Sequence, residues 1–430
     1  MAARRRDRRN SESTTKKVDS SILTSSNHVA AKSFVSFNHI LLILFILLSI
    51  FLVYHYRPSL TVRELPEDLS VHDGGFVKTK ISPQEILSEH SRDSINTTKR
   101  SFVNHVLAYV TPWNSLGYEM AEKFASKFTH VSPVWYDLKS EGKKLVLEGR
   151  HNADSGWISK IRANGGSLVL PRVVLEVFSP EFLLKKQLRS NMIKVIVNEC
   201  KDMGYDGIVL ESWSRWTAYD VLSDTTMRNK ALQFINQLGK ALHSEKNTAR
   251  RLNLIYVIPA PSSQDLKDHD FGPDDLQKLG DVVDGFSLMT YDFSSSLSPG
   301  PNAPLIWIRS CLQILLGNND NYDANLASKI FLGINFYGND FVISEGSTNR
   351  GGTILGRDYI SLLEKHQPTF QWEKKSSEHF FIYSHDNDRH AVFYPTLLSM
   401  SMRLDEARSW GASLSIWEIG QGLNYFFDLL

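Results

Sequence analysis

The sequence predicts an α/β chain folded as a closed (β/α)8 barrel, a TIM barrel, preceded by an N-terminal transmembrane signal anchor and a stalk. Three observations predict it. Eight apolar, strand-like runs alternate with helix-like segments, the pattern of a parallel sheet with crossover helices. The 430 residues leave ample length for a barrel of about 250 residues plus tails. An apolar run at 40–54 follows a basic leader, as a membrane anchor would.

Taken in order, residues 1–38 carry Arg4, Arg5, Arg6, Arg8, Arg9, Lys16, Lys17 and Lys32 and read as a disordered cytoplasmic tail. The segment 39–56, with Phe34, Val35 and Phe37 just before it, approaches the roughly 20 apolar residues that span a bilayer. The basic side should stay cytoplasmic, which predicts a single-pass type II protein of the endomembrane system with the remainder lumenal or extracellular. His55-Tyr56-Arg57-Pro58 offers no small-residue cleavage site, so an uncleaved anchor is favoured and later release by cleavage stays open. Asp7, Glu12 and Asp19 interrupt the basic stretch and argue against a transit peptide. Residues 57–99 are polar, contain Pro58 and Pro66, show no sustained periodicity and read as a lumenal stalk. The stalk holds Asn96-Thr97-Thr98, which makes Asn96 a glycosylation candidate.

The barrel is assigned to 100–430. Its strands are expected at 106–110, 129–135, 167–170, 207–212, 252–258, 285–291, 330–336 and 412–417. Helices such as 183–201 and 226–243 carry apolar residues at three-to-four spacing, fitting an outer ring. Two strand entries are near copies, Tyr205-Asp206-Gly207-Ile208 and Val283-Asp284-Gly285-Phe286. Asp-Gly there reads as a tight turn from helix into strand, which gives Asp206 and Asp284 structural roles. His385-Asp386-Asn387-Asp388, between two apolar runs, reads as the turn of a hairpin in a small β excursion before the last helix. The polar stretches 294–304 and 317–325 read as long loops.

Composition narrows the function classes. A net charge of +1 implies no overall field for nucleic acid. Cys200 and Cys311, the two cysteines, lack metal-ligand spacing; one disulfide is possible and two free buried thiols are expected. Lys267-Asp268-His269-Asp270 reads as a solvated loop rather than a metal site, and Gly351-Gly352-Thr353 lacks the Lys-Ser/Thr of a phosphate-binding loop. No metal and no cofactor are expected.

In such a barrel, function sits at the carboxyl ends of the strands. That rule picks Tyr109 and Trp113 from the first, Trp135 and Tyr136 from the second, and Arg172 and Glu176 from the third. It picks Glu211 and Trp213 from the fourth, Met289, Tyr291 and Asp292 from the sixth, Asn335 and Tyr337 from the seventh, and Trp417 and Glu418 from the eighth. Flat aromatic faces for C–H contact, with carboxylates, amides or phenols for hydroxyls, suit an oligosaccharide. Alternate strand residues share a face, so positions 209, 211 and 213 should point together at the lumen and mouth.

The stretch from Asp206 to Trp213 resembles the Asp-Gly-x-Asp-x-Asp-x-Glu strand of glycoside hydrolase family 18, the chitinase family, with Val209, Glu211 and Trp213 in place of Asp, Asp and Glu. Met289-Thr290-Tyr291-Asp292 is similar to the family's sixth-strand Met-x-Tyr-Asp motif, Trp417 to the eighth-strand Trp that floors the cleft, and Tyr109 to the first-strand Tyr. The resemblance covers about Ser101 to Leu430. It implies that the final motif Glu would protonate the glycosidic oxygen while the substrate's own N-acetyl carbonyl attacks the anomeric carbon. An indole N–H does not titrate near working pH, so Trp213 cannot act as that acid. The expectation is therefore a catalytically inactive, chitinase-like lectin for chitin or N-acetylated oligosaccharides, similar to a non-hydrolytic subgroup of the family. Its expected binding residues are Tyr109, Trp135, Tyr136, Glu211, Trp213, Met289, Tyr291, Asp292, Tyr337 and Trp417. Two alternatives stand beside it. One is an active glycosidase using a relocated carboxylate such as Glu211, Glu176 or Glu418, although Glu211 lies about 6 to 7 Å back along the strand from position 213 at roughly 3.3 Å per residue. The other is a membrane-anchored interaction scaffold.

Overall fold

The structure, a computed structural model, describes residues 75–430 apart from 92–96, 98–99, 143, 177–180, 248–249, 264, 318–321 and 345–349. The tail, the anchor segment 39–56 and Asn96 lie outside the described residues. Among the described residues no helix is long and apolar enough to cross a membrane.

Eight strands form the barrel: β1 Val106–Val110, β2 His130–Glu141, β3 as Leu168–Val169 continued by Arg172–Glu176, β4 Gly207–Glu211, β5 Asn253–Pro259, β6 Gly285–Met289, β7 Ile330–Asn335 and β8 Ser413–Trp417. Each pairs in parallel with the next in sequence, and β1 pairs with both β8 and β2, which closes the ring. The strands read as near-continuous apolar runs because both faces are covered. Leu107, Tyr109, Leu170, Val209, Ile255, Val257 and Phe331 fill the lumen, while the larger core lies between the strands and the helices outside them. The helices Lys186–Met203 and Thr225–Ser244 stand where the three-to-four spacing puts them.

The paired Asp-Gly entries are structural, through a bond that the turn reading does not contain. Asp206 Oδ2 accepts from Val169 N at 2.9 Å and from Arg162 at 2.7 Å. Asp284 repeats this, accepting from Leu254 N at 2.8 Å and from Arg251 at 2.7 Å. Each carboxylate thus ties the start of its strand to the strand before it. Gly207, at φ 144°, is needed because a Cβ there would lie 2.1 Å from the Asn253 carbonyl oxygen.

Four boundaries differ most from expectation. The third strand, expected to end at 170, resumes at Arg172 and runs to Glu176. The second strand runs on to Glu141 and forms a hairpin with Lys144–Glu148. The β excursion after β7 is a five-stranded antiparallel sheet carrying the helix Gly356–His366. Its anticipated hairpin turn is present, with Asp386 and Asn387 at φ 48° and 68° between paired His385 and Asp388. Part of the supposed stalk is folded as well. The seven-residue helix Pro83–Glu89 has a capping box from Ser82 and Glu85, and Val77 and Ile86 are buried. The Thr79 carbonyl pairs with His379 Nε2 at 2.9 Å, and the His90 carbonyl accepts from Asn424 N at 3.1 Å. So short a helix shows no periodicity and is stable only through such tertiary contacts. Cys200 and Cys311 are buried and unpaired.

Candidate functional site

At the carboxyl end of the barrel the strands converge on one ion pair. Arg172 on β3 and Glu211 on β4 both project into the mouth and contact each other, with side chains only 14% and 10% exposed. The Arg172 guanidinium also lies over the Trp417 ring, 5.0 Å from its centroid. Burial pulls that guanidinium down from its ordinary value, and the adjacent carboxylate supplies the counter-charge that makes it tenable there. Tyr109 packs on Trp417 with centroids 5.3 Å apart and donates to Ser287 Oγ at 2.8 Å. Burial pushes the Tyr109 phenol up to about 12, and burial likewise raises Tyr291 and Tyr337. All three phenols therefore remain protonated near neutral pH.

The sixth and seventh strands supply the opposite wall. Met289 packs against the lumenal cluster beside Trp417. Tyr291 meets Tyr337 edge-on with centroids 6.2 Å apart, and the Tyr337 hydroxyl donates to Asp292. Asp292 is exposed at φ 60°, its amide held by Asn302 Oδ1 at 2.7 Å. Asn335 is buried and donates to the Tyr337 carbonyl at 2.7 Å, a backbone-supporting contact. Trp113 stands 71% exposed on the loop after β1, and Phe293 54% exposed after β6.

Trp213 does not join this group. The alternation that should aim it at the mouth holds only while the chain stays extended, and Ser212, at ψ −27°, ends the strand. Trp213 becomes the first residue of the helix Trp213–Ala218 and is turned to the outside of the sheet, fully buried. Its indole N–H donates to the His269 carbonyl at 2.9 Å, its ring meets Phe271 edge-on at 5.0 Å, and Arg228 covers it at 5.0 Å. Within 267–270, expected to be solvated, Lys267 and Asp268 are exposed, while His269 and Asp270 join the packing. Asp270 is buried and accepts from Ser262 Oγ and Lys267 N, both at 2.8 Å. Among the described residues no cluster of His, Cys, Asp and Glu could hold a metal ion.

Trp135 and Tyr136 are also turned away. A bulge between Val134 and Tyr136 inserts one residue into β2 and reverses which side its later residues face. Trp135 donates to the Tyr118 hydroxyl at 2.8 Å, and Tyr136 pairs with Tyr205 at 2.7 Å and Glu199 at 2.9 Å, all in the outer layer. The reversal brings Asp137 to the neighbourhood of Arg172 instead. Asp137 and Arg215 are the charged groups that the strand-end rule missed. The first lies beyond a strand taken to stop at 135, and the second lies on the helix after β4. Arg215 pairs with Glu176 at 2.8 Å. Glu418 sits on the far side of β8 from Trp417, fully buried, contacting Asn114 and the Gly420 amide at 3.0 Å. Burial raises its pKa to about 7.

The mouth thus offers half-buried aromatic faces and the Tyr291 phenol, but its carboxylates are mostly engaged. Glu211 and Glu176 are in ion pairs, Asp292 accepts from Tyr337, and Glu418 is sealed off.

Comparison with known proteins follows the same lines. Residues 176–422 match Glycosyl hydrolases family 18. The chain is 27% identical over 201 residues to an uncharacterized glycosylase, YvbX, of Bacillus subtilis, covering 46% of this chain and 54% of that protein. It therefore spans about half the length of that relative. Among solved structures, a chitinase from Chromobacterium violaceum superposes with a TM-score of 0.62 at 21% identity, covering 76% of this chain and 98% of the other. A chitinase from Cycas revoluta in complex with (GlcNAc)3 superposes with a TM-score of 0.58 at 13% identity, covering 75% and 97%. At these identities the structures share the fold.

Proposed function

The chain belongs to glycosyl hydrolases family 18, and we propose that within it this protein binds N-acetylated oligosaccharides at the carboxyl mouth of the barrel without hydrolysing them. The observation that carries this reading is the Arg172–Glu211 pair over Trp417. Glu211 is the lone acid of β4, and a carboxylate held in an ion pair has no proton to hand to a leaving sugar. Trp213, at the position of the lost acid, neither titrates nor faces the mouth. Support for the ligand class comes from the (GlcNAc)3 held by the Cycas revoluta chitinase and from the half-buried Tyr291 and Trp417, with Tyr109 beneath them. The altered fourth strand supports kinship with chitinase domain-containing protein 1, a lectin-like branch of the family.

Calorimetric titration of the full chain with chitotetraose should give saturable binding that Trp417→Ala abolishes, and no reducing ends should accumulate. Sugar release that vanishes in Glu211→Gln would establish the relocated-acid alternative. Absence of binding to any glycan would leave the scaffold reading. The proposal extends to an uncleaved anchor at 39–56 that holds the barrel on the lumenal side, with Asn96 as glycan acceptor; it rests on the apolar run and its basic flank. The full chain should stay in the membrane pellet after alkaline carbonate extraction and shift in size on deglycosylation. A soluble, unshifted protein would refute that topology.

A further inference from the structure

A large cavity opens at the opposite end of the barrel. It measures about 660 Å³ and is lined by residues at the strand starts, among them His105, His130, Asp284 and Phe331, and by Arg100, Arg250 and Arg251. The amino end of such a barrel normally serves stability and is packed, so a ligand-sized space there is not required by the fold.

Its charge is unbalanced. Three arginines face one aspartate, an excess of two positive charges. Asp284 is already engaged by Arg251, His243 and the Leu254 amide. Arg100 donates to the Val103 carbonyl, and neither Arg100 nor Arg250 has a carboxylate partner among the described residues. His130 is 6% exposed, and its Nδ1 pairs with Thr129 Oγ1 at 2.8 Å, leaving Nε2 without a protein partner among the described residues. The His105 ring sits edge-on to it with centroids 5.3 Å apart. Burial, with His105 and Arg100 alongside, pushes His130 down to about 3, so it is neutral at working pH.

We propose that this amino-end cavity is a binding site for a small phosphomonoester. The arginine forks match the geometry of a phosphate oxyanion, and a dianion cancels the excess of two charges. The volume is far beyond what a bare phosphate fills, a water occupying about 30 Å³ of liquid. An organic part fits against Phe331, Phe128 and Ile255, which form the apolar share of the wall. His130 adds a hydrogen-bonding group to the cavity wall.

The test is calorimetric titration of the full chain with glucose 6-phosphate, inorganic phosphate and glucose. Glucose 6-phosphate should bind saturably, phosphate more weakly and glucose not at this site. Arg100→Gln combined with Arg250→Gln, both outside the packed core, should weaken glucose 6-phosphate by about tenfold or more and flatten its salt dependence. Trp417→Ala at the other mouth should leave it unchanged. Binding unaffected by the arginine substitutions, equal affinity for glucose, or no saturable binding would each overturn the proposal. If Trp417→Ala removes the binding, the phosphate sugar is occupying the carboxyl mouth and the amino-end site is refuted.

Discussion

Arg172 and Glu211 are each tolerable in the barrel mouth only because of the other. Removing one partner of a buried pair leaves an uncompensated charge, whereas replacing both by apolar groups is often nearly neutral. Arg172→Met should therefore cost about 3 to 5 kcal/mol in denaturant unfolding, and Arg172→Met with Glu211→Leu much less. Equal losses in the single and double variants would mean that the two side chains act independently. Glu418 makes a different prediction. Burial holds its pKa at about 7, above its ordinary 4.5, so between those values the native state keeps a proton that the unfolded chain has released. Its stabilising contribution is complete below about pH 4.5 and is lost as the pH rises through 7. The fall amounts to a few kcal/mol at most, and Glu418→Gln should flatten it; an unchanged slope in that variant would place the titration elsewhere.

At the level of elements, the end of β4 decides what position 213 can do. Ser212 turns the chain out of the extended conformation, and the following residue starts a helix against Phe271 and Arg228. Trp213→Glu, the substitution that restores the family's acid on paper, should supply no hydrolysis, because the new carboxyl faces the outer layer. It should instead destabilise by about 3 to 5 kcal/mol through lost packing. Turnover gained with stability retained would show that the helix start can reorganise into a strand. The bulge in β2 acts in the same way on Tyr136 and the residues after it. One inserted residue puts Tyr136 outside beside Trp135 and brings Asp137 to the mouth side in its place.

For the whole molecule, the folded unit begins before the barrel. Residues 75–91 bond to the inserted sheet through Thr79 and His379 and to the C-terminal segment through His90 and Asn424. A chain starting at residue 75 should melt close to the full chain, whereas one starting at 100 should melt several degrees lower, since about 1 kcal/mol corresponds to 2–4 °C at this size. Equal melting of the two truncations would restore the stalk reading for the entire segment. The barrel's eight strands, their order and the paired Asp-Gly entries were legible in the amino-acid order alone. Period and composition are local, and a parallel barrel repeats them eight times. The sequence also carried the family motif with its missing acid. What only the tertiary structure decided was the side each site residue faces and the partner it meets. A single bulge or one residue at ψ −27° reverses the parity that alternation assumes. The Arg172–Glu211 pair joins positions on separate strands, and the amino-end cavity is assembled from the starts of six of the eight strands and their flanking residues, so neither exists until the ring has closed.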